Sequence, residues 1–373
     1  MVGWMKRKNN LYKNVYNIDY LREVYKEVRR GCNNIKGLYY YDLFESTNLF
    51  YIATLLRNKS YRFSNYHIFI VREPKYRLIM SECIPDKVVN HAISRYILLP
   101  SLEHKLIDTN VATRTNKGSG YAYDMLLKYL RKLNFSNQQV YVLKIDIKKY
   151  FYNIDHIVLK EKLKRDIKDK DALDLIFASL DTSNEEYVNN EILRVKNNEI
   201  KRLYKLSLSK KERELKIREI NKLPIYKKNK GLGIGNMTSQ ILAIYYLNDV
   251  DHFIKEELKC KYYIRYMDDL IILDTDRDKL KGYLPIIKKK INKLNLEIND
   301  KSRIIDMKRG FSFLGYTYFL KNNLIIKVNN ETMRRIKKHL KVVKRKNKDK
   351  YLLSLASYKG FLDRADYYID YRY

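Results

Sequence analysis

Cysteine is too scarce and too scattered to organise this chain. Cys32, Cys83 and Cys260 form no CxxC pair, which excludes a disulfide framework and a cysteine zinc site and fits a reducing cytosol. The 6 histidines never fall into an HExxH-like spacing. No apolar run approaches a membrane span, and the opening stretch from Met1 to Lys8 lacks the apolar core of a signal peptide. The expectation is a cytoplasmic protein with no membrane association, and no internal repeat is visible. Acidic residues are short too: 76 Lys and Arg face 43 Asp and Glu, a net charge of +33. Such a charge repels itself unless a polyanion neutralises it, and nucleic acid bound through its phosphates is the fitting partner. An AT-rich genome is a plainer source for the abundant Lys, Asn, Ile and 35 Tyr, but it does not account for the missing acids.

What is present, in 373 residues able to form two or three subdomains, is organised around Tyr262–Leu273. Two β-prone apolar runs flank Asp268 and Asp269, the pattern of a hairpin with two carboxylates at its tip. A solvated acidic turn is the plain reading, and a metal-bearing tip needs a further carboxylate. Val140–Ile147 supplies one. It is a strand by composition and length, and Asp146 near its end is costly to bury without compensation. With this strand beside the hairpin, Asp146 comes next to Asp268. Crowded carboxylates raise one pKa. Divalent cations remove that conflict, since Mg2+ takes one or two carboxylates plus phosphate oxygens. A pair of ions stabilises both the attacking and leaving oxygens of an in-line phosphoryl transfer.

The remaining segments read as follows. Residues 1–66 are mostly helical, with Asn17–Arg30 capped by Asp19 and Tyr41–Arg57 a second helix. Tyr66–Met80 is a β-hairpin that presents Lys75 and Arg77, suited to gripping a triphosphate or simply solvated. Ile84 opens a helix with Pro85 and Asp86 in its first turn. The Gly- and Lys-bearing loop at 112–120 is able to meet a phosphate backbone. Residues 157–230 are helical and polar, an inserted helical hairpin or a partly mobile basic arm, with a solvated helix the plainer reading. Three glycines at 231–235 allow close backbone approach to a base pair. Ile241–Val250 is then a helix capped by Thr238 or Ser239. Lys279–Leu296 is an amphipathic helix interrupted by Pro285, and the strongly basic segment from Asn330 is helical.

Tyr266-Met267-Asp268-Asp269, preceded by the Asp146 strand, resembles the active site of reverse transcriptases, and the likeness spans nearly all of the chain. Within that family, Ile234-Gly235-Asn236-Met237-Thr238-Ser239-Gln240 resembles the reverse transcriptases of diversity-generating retroelements, which lack the usual Gln-Gly and Ser-Pro pairs here. Antiphage defence reverse transcriptases are near relatives. The resemblance implies an α+β right-hand polymerase with fingers, a palm bearing an antiparallel sheet and a short helical thumb. Its segments are 1–137 (N-terminal helices and fingers), 138–158 (first part of the palm), 159–228 (helical basic insertion), 229–321 (second part of the palm, with the primer grip) and 322–373 (thumb). The chain as given leaves no room for an RNase H, an endonuclease or a DNA-binding extension.

The implied activity is RNA-templated DNA synthesis with two Mg2+ ions, Mn2+ being an acceptable substitute. Asp146 and Asp268 hold the metals, and Asp269 supports the site and is a further metal ligand during turnover. Arg77 matches the arginine that contacts the incoming triphosphate, and Lys75 is a second candidate. Phe151 matches the aromatic that excludes a 2′-hydroxyl, although a buried phenylalanine is also an ordinary core residue. Ile234, Gly235 and Gln240 line the nascent base pair, Lys301 is in place to protonate the departing pyrophosphate, and Phe313, Leu314 and Gly315 form the primer grip. The implied partners are a structured RNA template, an RNA/DNA duplex, deoxynucleoside triphosphates, and a small accessory protein or further copies of the chain. A non-catalytic RNA-binding scaffold and an RNA-dependent RNA polymerase are the rival readings. The three aspartates argue against the first and Phe151 against the second.

Overall fold

The computed structural model describes residues 9–366 apart from 33, 136 and 137. The chain forms two compact units that exchange segments. One comprises Met1–Ile107, Lys148–Asp249 and Ile291–Leu296; the other comprises Asp108–Ile147, Val250–Lys290 and Glu297–Tyr373. No helix among the described residues is long and apolar enough to cross a membrane.

The first unit is mainly helical. Leu21, Val24, Tyr25 and Val28 recur on one face of the Ile18–Gly31 helix and are buried. Its cap is Asn17, not Asp19: Asn17 stands just before the first helical residue in extended conformation and accepts from the Asp19 and Tyr20 amides. The expected Tyr41–Arg57 helix is two helices, Ile35–Leu43 and Glu45–Arg57, broken at Phe44. The break is hydrogen-bonded, because the Phe44 amide and the Asn48 side chain both donate to the Tyr41 carbonyl.

Strands β1 (His67–Val71) and β2 (Arg77–Ser81) form an antiparallel hairpin in which Val71 faces Arg77. Period-two alternation buries Ile68, Ile70, Leu78 and Met80 and leaves His67, Phe69 and Arg77 outward. The buried face packs on Val188 and Ile192 of the Glu186–Tyr204 helix. That helix and Lys210–Asn221 form a helical hairpin where an insertion or basic arm was expected, and Val188, Ile192, Leu203 and Ile220 are buried. A free basic arm would bury none of these, so one face of the insertion is core.

The helix after the glycines begins at Met237, four residues before the expected Ile241. Thr238 and Ser239 are buried inside its first turn and do not cap it. Asn236 holds the cap position, but its Nδ2 donates to the Tyr66 hydroxyl at 3.0 Å and its Oδ1 accepts no amide, so this helix has no side-chain cap.

The second unit carries β3 (Tyr141–Asp146), β4 (Tyr262–Tyr266), β5 (Asp269–Asp274) and β6 (Arg303–Asp306) as one antiparallel sheet in the order β4-β5-β3-β6. Leu270–Leu273 is apolar throughout because this inner strand is buried on both faces. A second sheet, β7 (Phe311–Phe313), β8 (Tyr316–Leu320) and β9 (Leu324–Val328), shares a core with the first and with Leu126 and Leu130 of the Ser119–Asn134 helix. The Arg277–Asn292 helix runs through Pro285 without ending. An interior proline costs a helix about 3 kcal/mol, which burial of Leu280, Ile287 and Ile291 offsets. Two basic helices, Asn330–Lys346 and Lys348–Leu362, follow and pack on each other through Ile336, Leu340 and Leu362.

Candidate active site

β3 and β5 run antiparallel, and their register makes Asp146 the direct partner of Asp269. Tyr266 and Asp269 close the β4–β5 hairpin, so its two-residue turn is Met267–Asp268. The sequence pattern put Asp268-Asp269 at the tip; the turn lies one residue earlier, and Asp269 begins β5. Asp268 follows as the turn residue beside the Asp146–Asp269 pair. Met267 has φ 54°. Positive φ at the first central residue is the mark of a II′ turn, where glycine is the relaxed choice. For methionine it costs on the order of 1–2 kcal/mol.

The strain is held from beneath. Arg265 and Asp251 are both fully buried. The guanidinium clasps the Asp251 carboxylate through Nε at 2.7 Å and Nη2 at 2.6 Å, and Nη1 donates to the Met267 carbonyl at 3.0 Å. The Tyr263 hydroxyl donates to the same carboxylate at 2.6 Å. Burial and then the Asp251 charge push the Tyr263 phenol well above its ordinary value, so it remains a donor. Along the edge of β4, residues Thr109 and Val111 exchange backbone hydrogen bonds with Arg265. The strand that leads into the turn is therefore fixed on both sides. Neither Arg265 nor Asp251 was a candidate from the sequence; the available signal was an arginine inside the apolar run Tyr-Tyr-Ile-Arg-Tyr.

Asp146 is half-buried, and burial first, then the Asp269 charge, raises its pKa. Three groups work the other way: Lys144, a hydrogen bond with the Asn299 side chain, and the Lys301 ammonium. The 299–302 turn docks on this end of β3. The Asn299 amide donates to the Asp146 carbonyl at 2.7 Å, and the Asp146 amide donates to Ser302 Oγ at 3.0 Å. Lys301 is thus brought to the acidic end of the sheet. Lys144 Nζ lies 3.3 Å from Asp269 Oδ1 and donates to the Ser312 carbonyl at 3.1 Å, tying Asp269 to β7. Asn299, Ser302 and Lys144 also escaped the sequence reading, because each contact joins residues far apart in the chain.

Phe313 ends β7, and Leu314 and Gly315 form the tight β7–β8 turn, with φ of 51° at Leu314 and 86° at Gly315. A side chain at Gly315 would press on the Phe361 ring, 3.0 Å from the added carbon, and Phe361 in turn stacks on Tyr316 with centroids 4.4 Å apart.

The other candidates belong to the first unit. Arg77 points outward from β2, and its charge lowers the otherwise burial-raised pKa of Tyr152. Phe151 is partly buried, and its carbonyl accepts from the Leu232 amide at 2.7 Å. The Ile234 carbonyl accepts from the Met80 amide at 2.9 Å, and a side chain at Gly235 would meet the Met80 carbonyl at 3.1 Å. Ile234 and Gly235 therefore lie against Met80 toward the open end of the β1–β2 hairpin, whereas Arg77 begins β2 beside its turn and Phe151 joins the Leu232 backbone. Lys75 is exposed in its turn, and Gln240, like Met237, is partly exposed in a helix that is otherwise buried.

Among the described residues no group of three or more His, Cys, Asp or Glu side chains stands ready to enclose a metal ion. Two facing carboxylates with an adjacent third suit a cation that completes its shell elsewhere. Mg2+ is such a cation, keeping waters and substrate oxygens among its ligands.

An antiparallel sheet with paired acids at its strand ends, embedded in helices, defines an α+β fold of the right-hand polymerase class. The sequence profile of the reverse transcriptase (RNA-dependent DNA polymerase) family matches residues 71–318, well over half of the chain. The chain belongs to that family. Among solved structures, apo telomerase from Candida tropicalis aligns with a TM-score of 0.44 and 15% identity, over 74% of this chain and 50% of that one. Telomerase from Candida albicans bound to a fragment of telomeric RNA aligns with a TM-score of 0.43 and 15% identity, over 76% and 50%. This chain thus spans about half the length of those telomerases. No curated protein matches it.

Proposed function

We propose that this chain is an RNA-directed DNA polymerase that makes cDNA by metal-assisted nucleotidyl transfer. The observation that carries the proposal is the register that sets Asp146 against Asp269, with Asp268 in the adjoining turn. In this reading Asp146 and Asp268 hold divalent cations, and Asp269, engaged by Lys144, steadies the charge around them. When bound, the cations lower the pKa of the attacking hydroxyl and neutralise the triphosphate. The protein's own part is positioning. The Leu314–Gly315 turn lays backbone against the primer end, and Lys301 Nζ gives a proton to the departing pyrophosphate. Arg77, with Lys75, binds the triphosphate. Phe151 sits under the sugar, and Ile234, Gly235 and Gln240 border the base pair.

The test is extension of a DNA primer on an RNA template with deoxynucleoside triphosphates and Mg2+. Synthesis that proceeds without a divalent cation, or none on RNA, contradicts the proposal. Sugar selection is checked separately: Phe151→Ala is expected to raise ribonucleotide incorporation by about tenfold or more while deoxynucleotide incorporation falls less. Unchanged selectivity in competition assays removes Phe151 from that role.

The string Ile234-Gly235-Asn236-Met237-Thr238-Ser239-Gln240 supports a finer reading, a diversity-generating retroelement polymerase that copies template adenines loosely with a structured RNA and a small basic helper protein. Sequenced cDNA should then show errors concentrated at template adenines. An even error spectrum would favour an antiphage defence enzyme with the same core.

A further inference from the structure

The inserted helical hairpin at 186–221 has no role in the chemistry described above. Its buried face lies against one face of the β1–β2 hairpin, and the residues that meet there follow the strand alternation. Ile68, Ile70 and Arg72 share that face with Tyr76, Leu78 and Met80, while His67, Phe69, Arg77 and Ile79 occupy the other. Arg72, just past β1, reaches Glu199 of the Glu186–Tyr204 helix in a forked pair, Nε to Oε1 and Nη2 to Oε2, both at 2.9 Å. The Glu199 side chain is only 5% exposed, and Arg202 binds it from the next turn at 2.7 Å. Burial alone would raise this carboxyl; the hydrogen bonds from Arg72 and Arg202 outweigh it and bring it down to about 2.

The support itself is cross-linked. Lys196 Nζ donates to the carbonyls of Asn221 at 3.1 Å and Leu223 at 3.0 Å, closing the end of the second inserted helix. Lys216 of that helix sits over the Tyr76 ring, 5.8 Å from its centroid. The Tyr187 hydroxyl accepts from the Tyr66 amide at 2.7 Å, just before β1. A flexible β-hairpin would be held along its whole back by these contacts.

We infer that the inserted helical hairpin is a brace for the nucleotide-gripping hairpin, and that the Glu199–Arg72 pair is the latch that fixes the angle at which Arg77 is presented. Glu199 and Arg72 are positioning residues acting through Arg77. The inference rests on the reading of Arg77 as a triphosphate contact. A bidentate arginine–carboxylate pair sets orientation as well as distance, which a solvated lysine-rich arm does not.

The test uses the full chain with primer–template and compares Arg72→Met, Arg72→Lys, Glu199→Gln and Arg77→Met. Arg72→Met removes only an exposed partner of Glu199, which keeps Arg202, so folding is retained even where Glu199→Gln fails to fold. The expected result for Arg72→Met is a five- to twentyfold rise in KM for deoxynucleoside triphosphate, with kcat within threefold and KM for primer–template unchanged. Arg72→Lys should recover part of the loss. Hydrogen exchange at the amides of 67–81, measured without substrate, should quicken in Arg72→Met. If Arg77→Met raises the nucleotide KM but Arg72→Met changes neither KM nor exchange, the brace is wrong and the function of Arg77 stands. If Arg77→Met leaves the nucleotide KM unaltered, the reading of Arg77 fails and the brace loses its role with it.

Discussion

Asp268→Ala and Asp146→Ala are each expected to lower the rate of primer extension at saturating substrates by at least on the order of a thousandfold. Charge stabilisation at a metal-assisted phosphoryl transfer amounts to several kcal/mol, and each 1.4 kcal/mol is about a factor of ten in rate. Asp269→Ala should cost less, because Asp269 is already engaged by Lys144 at 3.3 Å. The loss should not come from unfolding. Burial, followed by the charge of Asp269, raises the pKa of Asp146 in the folded chain above its ordinary 3.8. An acid shifted upward on folding lowers stability wherever it is ionised in the unfolded chain, and the penalty vanishes below the unfolded pKa. Asp146→Asn is therefore expected to raise the melting temperature at pH 7, with the gain fading as pH falls toward 3.8 and absent below it. Calorimetry across that range, run beside single-turnover extension, separates the two effects. Near-normal extension by Asp268→Ala would remove it from the reaction centre.

The second large effect concerns the support under the turn. Arg265→Met alone and Asp251→Leu alone are each expected to destabilise the chain by about 3–5 kcal/mol, since each strands a buried charge. Both residues have 0% side-chain exposure. The double substitution Arg265→Met with Asp251→Leu should recover most of that stability, because apolar pairs of similar volume commonly replace buried ion pairs without loss. It should not recover activity. The Arg265 Nη1 bond to the Met267 carbonyl is gone in the double variant, so the positive-φ methionine beside Asp268 loses that hold. Denaturant unfolding and primer extension on the single and double variants give the answer. Full activity in the stable double variant would mean that the turn keeps its shape unaided.

The sheet that bears the acids was legible because its strands are short, β-branched and apolar. Val140–Ile147 and the two halves of Tyr262–Leu273 admitted few other readings. The β1–β2 hairpin was legible for the same reason. Helix ends were read less well. Asp19 and Thr238 look like caps by residue type, but the cap belongs to whichever side chain stands in extended backbone before the first turn, and that was Asn17 and, without a bond, Asn236. The acidic tip was misplaced by one residue because Met267 takes a conformation that its type disfavours. The contacts that position the site were not legible at all. Asp146 meets Ser302 across 156 residues and Arg72 meets Glu199 across 127. In a chain with 76 lysines and arginines, nothing local marks Lys144 or Arg72 as different from the rest; only Arg265 stands out, by the apolar run around it.

The cation proposed to bridge Asp146 and Asp268 is open to direct observation. Crystals of the chain with a primer–template, a non-hydrolysable deoxynucleoside triphosphate and Mn2+ should give anomalous density within roughly 2 Å of carboxylate oxygens of both Asp146 and Asp268. The same peak should be missing with Asp146→Asn. Density that touches neither aspartate, in crystals where nucleotide and primer are clearly bound, contradicts the assignment.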